Sequence, residues 1–406
     1  MCSPCRCGGI PLKEGDRGIF PSKQLFWGTY RMALRFGVDG KFTVMQISDI
    51  QECGPLHPRG LRLIEAALDI ERPDIVVFTG DQLKGYSPAF LFGKHPRPLI
   101  SRTIEGILAP LETRNIPFTV TFGNHDHDAP LWGEGQLRFY QRSPLCLAQD
   151  SPEGVPGYAN HVLPVLDSKG EKAALLLYML DTHGPTGLGY TPLDAAQVDW
   201  YRQTRDAYAG NGPVPSVLFQ HVPVEEIIEL YREVPRSKGT LEGYRNYKGK
   251  HFVLDESRAT GFMGELPSSP DVNAGLFEAA REKGEMLGMF FGHDHTNGFH
   301  GDVGGITLGY APCAGYRTYG PGRKRGVRML RFDERDIRSF ETYVATDEAL
   351  LGPAESLDWR TKILMDMQPS SFGEVQNKLR RAAPAVGAVI VGAAALAVGR
   401  KLARRR

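Results

Sequence analysis

Five apolar runs in this chain end alike: within a residue or two the sequence turns to Asp, Asn or His. "VMQIS" leads to Asp49 and "VVFTG" to Asp81. "TVTFG" leads to Asn124, His125 and Asp126, "VLFQ" to His221, and "MFFG" to His293 and His295. Short apolar runs bounded in this way read as strands buried on both faces. Strand carboxyl ends in open α/β sheets border one crevice, so a register shared by five of them brings the five polar clusters together.

The intervening segments support an α/β fold. "RGLRLIEAALDIER" carries Leu61, Ile64, Ala67 and Leu68 at helical spacing, and Pro73 closes it before "DIVVFTG", which makes a βαβ unit. "SRTIEGILAPLETRN" precedes "PFTVTFG" in the same manner, and "DAAQVDWYRQTRDAYA" reads as a helix capped by Asp194. "ALLLYML" and "GGITLGYA" add strands. At the front, "FWGTYRMALRF", the turn-like "GVDG" and "KFTVMQIS" suggest a hairpin. The expected organisation is a leader and hairpin over 1–41, an α/β domain over 42–345 with an insertion or lid at 236–270, and a linker over 346–381.

Residues 382–399 form an uncharged apolar stretch with basic residues on both sides, the last of them in the 400–406 terminus. That length just suffices for a C-terminal apolar helix to cross a bilayer. Its alanine and glycine content makes insertion marginal, so an interfacial helix or a packed tail remain alternatives to a membrane anchor. No basic segment followed by an apolar one opens the chain, which argues against a secretory signal. The expected location is cytoplasmic, with tethering through the tail.

Lysine plus arginine (48) balances aspartate plus glutamate (47), which gives no electrostatic footprint for nucleic acid. Six cysteines among 406 residues are too few for a disulfide framework. Cys2, Cys5 and Cys7 supply three thiols, one short of a closed zinc site, and read as part of a leader.

The clustered side chains form a mixed oxygen and nitrogen donor set, which suits Mn, Fe or Zn, with Mg tolerated, rather than an all-oxygen calcium cage. A bridging carboxylate would hold two ions roughly 3.5–4 Å apart, the spacing used to clamp both oxygens of a phosphoryl displacement. A phosphate ester is the substrate class this chemistry suggests.

In order, "ISDIQ", "FTGDQ", "FGNHD", "FQHVP" and "FGHDHTN" resemble the five blocks of the calcineurin-like metallophosphoesterase superfamily. The subgroup most resembled contains a yeast cell-cycle regulator phosphatase and plant proteins similar to purple acid phosphatase 29. "LDAAQVDWY", "GELPSSPDVNAGLFEAA" and "CAGYRTYG" extend the likeness over roughly residues 42–335. The resemblance implies a four-layer α/β/β/α sandwich. It also implies a first metal on Asp49 and His295, a bridging Asp81, and a second metal on Asn124, His221 and His293. His125 would neutralise the phosphate or protonate the leaving oxygen, Asp126 would orient its ring, and a metal-bridging hydroxide would attack phosphorus in line.

Two departures stand out. Gln51 occupies the place of a histidine ligand to the first metal and offers only an amide oxygen; His57 and His127 are the nearby imidazoles that could compensate. Lys84 stands where the coloured enzymes of the superfamily carry a tyrosinate, with Tyr86 two positions further on, so no purple absorption is expected. Arg317 is a candidate substrate contact, able to meet a phosphate oxygen, and Asp181 and His183 follow a further strand as pocket or turn residues. Two functional readings result: a metal-dependent phosphoesterase, or a weakened pseudo-phosphoesterase serving as an interaction scaffold.

Overall fold

A computed structural model describes residues 33–352, apart from 187, 188, 211 and 244, together with residue 359. Cys2, Cys5, Cys7, nearly all of the expected linker and the apolar 382–399 segment lie outside the described residues. Among the described residues no helix is long and apolar enough to cross a membrane.

Two sheets stack face to face. One has five strands in the order Glu341–Thr346, Gly326–Asp333, Lys41–Ile47, Ile75–Thr79 and Phe118–Thr121, the last three mutually parallel. The other has eight. Its centre is a parallel group of Ala173–Leu180, Ser216–Gln220, Met286–Phe291 and Ile306–Tyr310.

Period-2 alternation along these strands builds three apolar layers. Phe42 and Val44, with Ile75 and Val77, face Leu175, Leu177, Met179, Val217 and Phe219 between the sheets. The alternate residues Met45, Ile47, Val76 and Phe78 face outward into a second cluster. Leu176, Tyr178 and Leu180 do the same on the far side, in a third. Helices cover both outer faces, giving the order helix, sheet, sheet, helix. Each fully buried Leu, Ile or Phe in these layers contributes about 2 kcal/mol.

The helix Pro58–Glu71 shows how sequence sets an outer layer. Proline at its start needs no N–H partner, and His57 caps it by accepting from Arg59 N at 3.2 Å. Gly60, Leu63, Ile64, Ala67 and Leu68 form its buried face. Arg72 ends it in the left-handed region at φ 48°, just before Pro73.

Among the described residues, the expected hairpin before residue 48 does not form. Leu34–Arg35 pairs in parallel with His161–Leu166 in the eight-stranded sheet, whereas Lys41–Ile47 belongs to the five-stranded one. The turn between them is real, with Gly37 N bonded to Lys41 O. Leu34 and Phe36 nevertheless enter the interlayer core from the sheet opposite Phe42 and Val44.

Within 236–270, Leu241–Glu242 and His251–Leu254 join Tyr231–Glu233 in a small antiparallel sheet packed on the eight-stranded side. Ala259–Thr260 then adds to the edge of the large sheet. The folded body also continues past residue 345. Asp347, at the start of the helix Asp347–Leu351, is buried against Arg59, Arg323 and Tyr316.

Candidate metal centre

All the polar clusters named above lie at the carboxyl ends of the parallel strands. The two sheets are stitched together there: Ser48 bridges Cys313, Ala314 N donates to Ser48 O, and Gly315 N donates to Asp49 O. Glycine is required at these strand ends. Gly80 has φ 89°, and a Cβ on it would lie 2.6 Å from Gly123 N and 2.7 Å from His221 Nδ1.

Asp49 is wholly buried and held by Ser48 Oγ at 2.6 Å and His293 N at 3.0 Å, both on Oδ2. Its Oδ1 lies 3.1 Å from His295 Nε2 and has no aligned hydrogen-bond donor. Asp81 accepts from His125 N at 2.8 Å on Oδ1, while Oδ2 is 3.1 Å from Gln51 Nε2 and 3.4 Å from His221 Nε2. His221 Nε2 lies 3.1 Å from Asn124 Oδ1 and 3.2 Å from His293 Nδ1. Donor atoms of Asp49, Asp81 and His221 all fall within 4.8 Å of one another.

The electrostatics are those of a cation site. Burial opposes ionisation of Asp81, but the neighbouring His221 and His125 outweigh it and hold the carboxyl well below its usual range. Burial likewise opposes the charge on His221, yet Asp81 and Asp49 raise it to about 9. At His293 burial and the adjacent His221 act together and push it far down. A buried carboxylate oxygen with no aligned donor, two ring nitrogens face to face and a mixed oxygen and nitrogen donor set fit metal cations.

His125 sits on the short helix Asn124–His127, its ring edge-on to Tyr86 with centroids 4.5 Å apart. Its Nδ1 is 2.7 Å from Asp128 Oδ2. Burial lowers its basicity, but Asp81 and Asp128 more than reverse this, and the net shift is upward. The expectation that Asp126 orients the ring is therefore corrected. Adjacent helical residues diverge, whereas residues three apart share a face, so Asp128 reaches His125 and Asp126 does not. Asp126 instead accepts from the backbone of Asp81, Leu83 and Gly123 at 2.7 to 2.9 Å, tying two strand ends together.

Gln51 is fully buried at φ 45°, with Nε2 3.1 Å from Asp81 Oδ2 and 3.3 Å from His295 Nε2. Neither alternative imidazole joins it. His57 caps its helix and stacks on Tyr316, and His127 pairs with Asp181 at 3.1 Å. His183 is held by Gln197 Oε1 at 2.9 Å. Arg317 pairs with the buried Glu52 at 2.6 Å and with Pro55 O at 3.2 Å, leaving its side chain 41% exposed.

The strand-end pattern does not flag Tyr86, Asp128 or Tyr190. Tyr86 donates to Gln51 Oε1 at 3.1 Å, and Tyr190 packs edge-on against His293 at 4.4 Å. Only the spacing of three between His125 and Asp128 on a helix start was a readable signal.

Buried carboxylates and imidazoles gathered at the parallel strand ends of this α/β body make a donor set of the kind that holds metal cations. Residues 42–297 match the family model described as calcineurin-like phosphoesterase, and the chain belongs to that family. It is 26% identical over 340 residues to Probable inactive purple acid phosphatase 14 of Arabidopsis thaliana, covering 74% of this chain and 77% of that one. Phosphatase DCR2 of Saccharomyces cerevisiae is 25% identical over 293 residues, 64% of this chain and 45% of the yeast protein. Among solved structures, a dimetal phosphatase from Danio rerio aligns with a TM-score of 0.45 at 14% identity, covering 75% and 98% of the two chains.

Proposed function

We propose that this chain is a dinuclear metal-dependent phosphoesterase. The observation that carries the reading is the meeting of seven donor side chains, Gln51 among them, from five separate strand ends in one buried cluster. Asp49, Gln51 and His295 would hold the first ion, Asn124, His221 and His293 the second, and Asp81 would bridge them. Mn, Fe or Zn suits these donors, and Mg is tolerable at the first position. When bound, the ions supply charge neutralisation at the phosphate and a water acidic enough to attack it in line.

The chain's own contribution centres on His125. Asp128 fixes the tautomer by accepting from Nδ1–H and favours the protonated ring, so that Nε2 is the atom that gives a proton to the leaving oxygen. Asp126 holds the loops of Asp81 and Gly123 at a fixed separation. Arg317, anchored by Glu52, stands as a candidate contact for the substrate's phosphate or leaving group. We place the protein in the cytoplasm, tethered through residues 382–399; fractionation with and without that segment tests this.

A scaffold with a weakened centre is favoured by Gln51 and by the word inactive in the names of three Arabidopsis thaliana relatives. The intact pairing of His125 with Asp128 supports the enzyme, because a proton donor serves no purpose in a scaffold. Hydrolysis of an aryl phosphate monoester and diester by protein stripped of metal and reloaded is the test. Turnover that returns with metal is expected, and the ester preferred assigns the substrate class. Silence with every metal contradicts the proposal.

A further inference from the structure

The first metal position differs from the second in one respect: its amide ligand faces the wrong way. Carboxylate oxygens only accept hydrogen bonds, so the end of Gln51 lying 3.1 Å from Asp81 Oδ2 is N–H2. The same nitrogen is 3.3 Å from His295 Nε2, in the space bounded by Asp49, Asp81 and His295. A cation there would meet two N–H dipoles rather than a lone pair. The carbonyl oxygen that could ligate it points away, toward Tyr86, whose hydroxyl donates to Oε1 at 3.1 Å.

A half-turn about the last side-chain bond of Gln51 exchanges the two ends, and that torsion is broad and roughly two-fold. After the turn, N–H2 faces the Tyr86 oxygen. A phenolic hydroxyl can accept as readily as it donates, so neither orientation leaves that end of the buried amide without a partner. The cost of the turn is the hydrogen bond to the Asp81 carboxylate. Position 124 carries no such cost, because Asn124 Oδ1 already faces His221 Nε2 at 3.1 Å.

Resting on the dinuclear reading above, we propose that Gln51 is a two-position amide switch, served in both positions by the Tyr86 hydroxyl. It makes occupation of the first metal position conditional, while the second position is ready without rearrangement. The protein then takes up its ions in order, one tightly and one weakly. Its working state depends on the available concentration of the weaker ion.

Zinc titrated calorimetrically into the metal-stripped full chain reads this directly. Two equivalents are expected, the second weaker by about tenfold or more, since a charge-assisted hydrogen bond is exchanged for the new ligand. In parallel, the Gln51 side-chain N–H2 resonances, assigned by their loss in Gln51→Glu, should shift with the second equivalent and not with the first. Gln51→Glu presents oxygen in either position, so the gap between equivalents should close to within about threefold; Gln51→His should close it too. Tyr86→Phe keeps the ring against His125 and removes only the hydroxyl, and should broaden the Gln51 resonances before zinc is added.

Two equal equivalents in the wild type, or Gln51 resonances that move with the first, overturn the switch while leaving the dinuclear reading intact. Sharp Gln51 resonances in Tyr86→Phe overturn the role of Tyr86. Absence of any zinc binding overturns both this proposal and the reading it rests on.

Discussion

His125 and Asp128 give the most direct residue-scale prediction. A general acid must be protonated to act, and Asp128, on Nδ1, favours the protonated His125 ring, so activity should fall as pH rises through the folded pKa. Asp128→Asn removes one cause of the upward shift, so the falling limb should move to lower pH, with kcat reduced about tenfold and metal content unchanged. His125→Ala should cost about 10²- to 10⁴-fold in kcat. Steady-state pH profiles and elemental analysis check both. The corresponding Asp126→Asn change acts differently, because Asp126 braces three backbone N–H groups rather than the His125 ring. It should lower thermal stability and activity together.

At the scale of elements, His161 joins the two sheets. It lies on the strand His161–Leu166, with Nε2 2.7 Å from Thr119 Oγ1 of the opposite sheet and Nδ1 2.7 Å from Ala159 O. Burial pushes it down to about 4 from an ordinary 6.5. The unfolded chain therefore binds the extra proton between those values, and stability should be lost as pH falls from 6.5 toward 4. The full shift corresponds to about 3 kcal/mol. Urea unfolding at both ends of the window, in the wild type and in His161→Gln, tests this; the variant should show the smaller loss.

The chain's last described helix offers a second element-scale test. Arg59 grips Asp347 through Nε at 2.7 Å and Nη2 at 2.8 Å, so Arg59→Ala should destabilise the fold by about 2 kcal/mol, measured in urea, with kcat preserved. Elements of this kind were the hard part to read. Gly326–Asp333 lies second in the five-stranded sheet, yet Arg328 interrupts its apolar pattern. That guanidinium is buried because Tyr310 O, Phe299 O and Thr342 Oγ1 accept from it. Leu34–Arg35 misled for another reason. Alternation identifies a strand and its buried face but not its partner, and here the partner lies in the other sheet.

For the whole molecule, the candidate site was more legible than the layers around it. Metal-ligand chemistry demands particular residue types, and parallel strands demand that these residues follow apolar runs, so Asp49, Asp81, Asn124, His221, His293 and His295 stood out in order. What stayed hidden was contact between loops: Tyr86 on Gln51, Tyr190 on His293, and Glu52 on Arg317. None of these pairs has a periodicity to betray it. Because the donors come from both sheets, bound ions should stabilise the whole body. Each ion present at about a hundred times its dissociation constant adds about 2.7 kcal/mol, which chelation should remove as a fall in melting temperature.

Phosphoester hydrolysis at this centre would depend on Asp81 serving both ion positions. Metal content and aryl phosphate turnover measured together, in the reloaded wild type and in Asp81→Asn, test it most directly. Bound metal and metal-dependent turnover are expected in the wild type, with the variant losing at least one equivalent and more than about a hundredfold in kcat. Wild-type protein that binds no metal, or turnover that survives unchanged in Asp81→Asn, would contradict it.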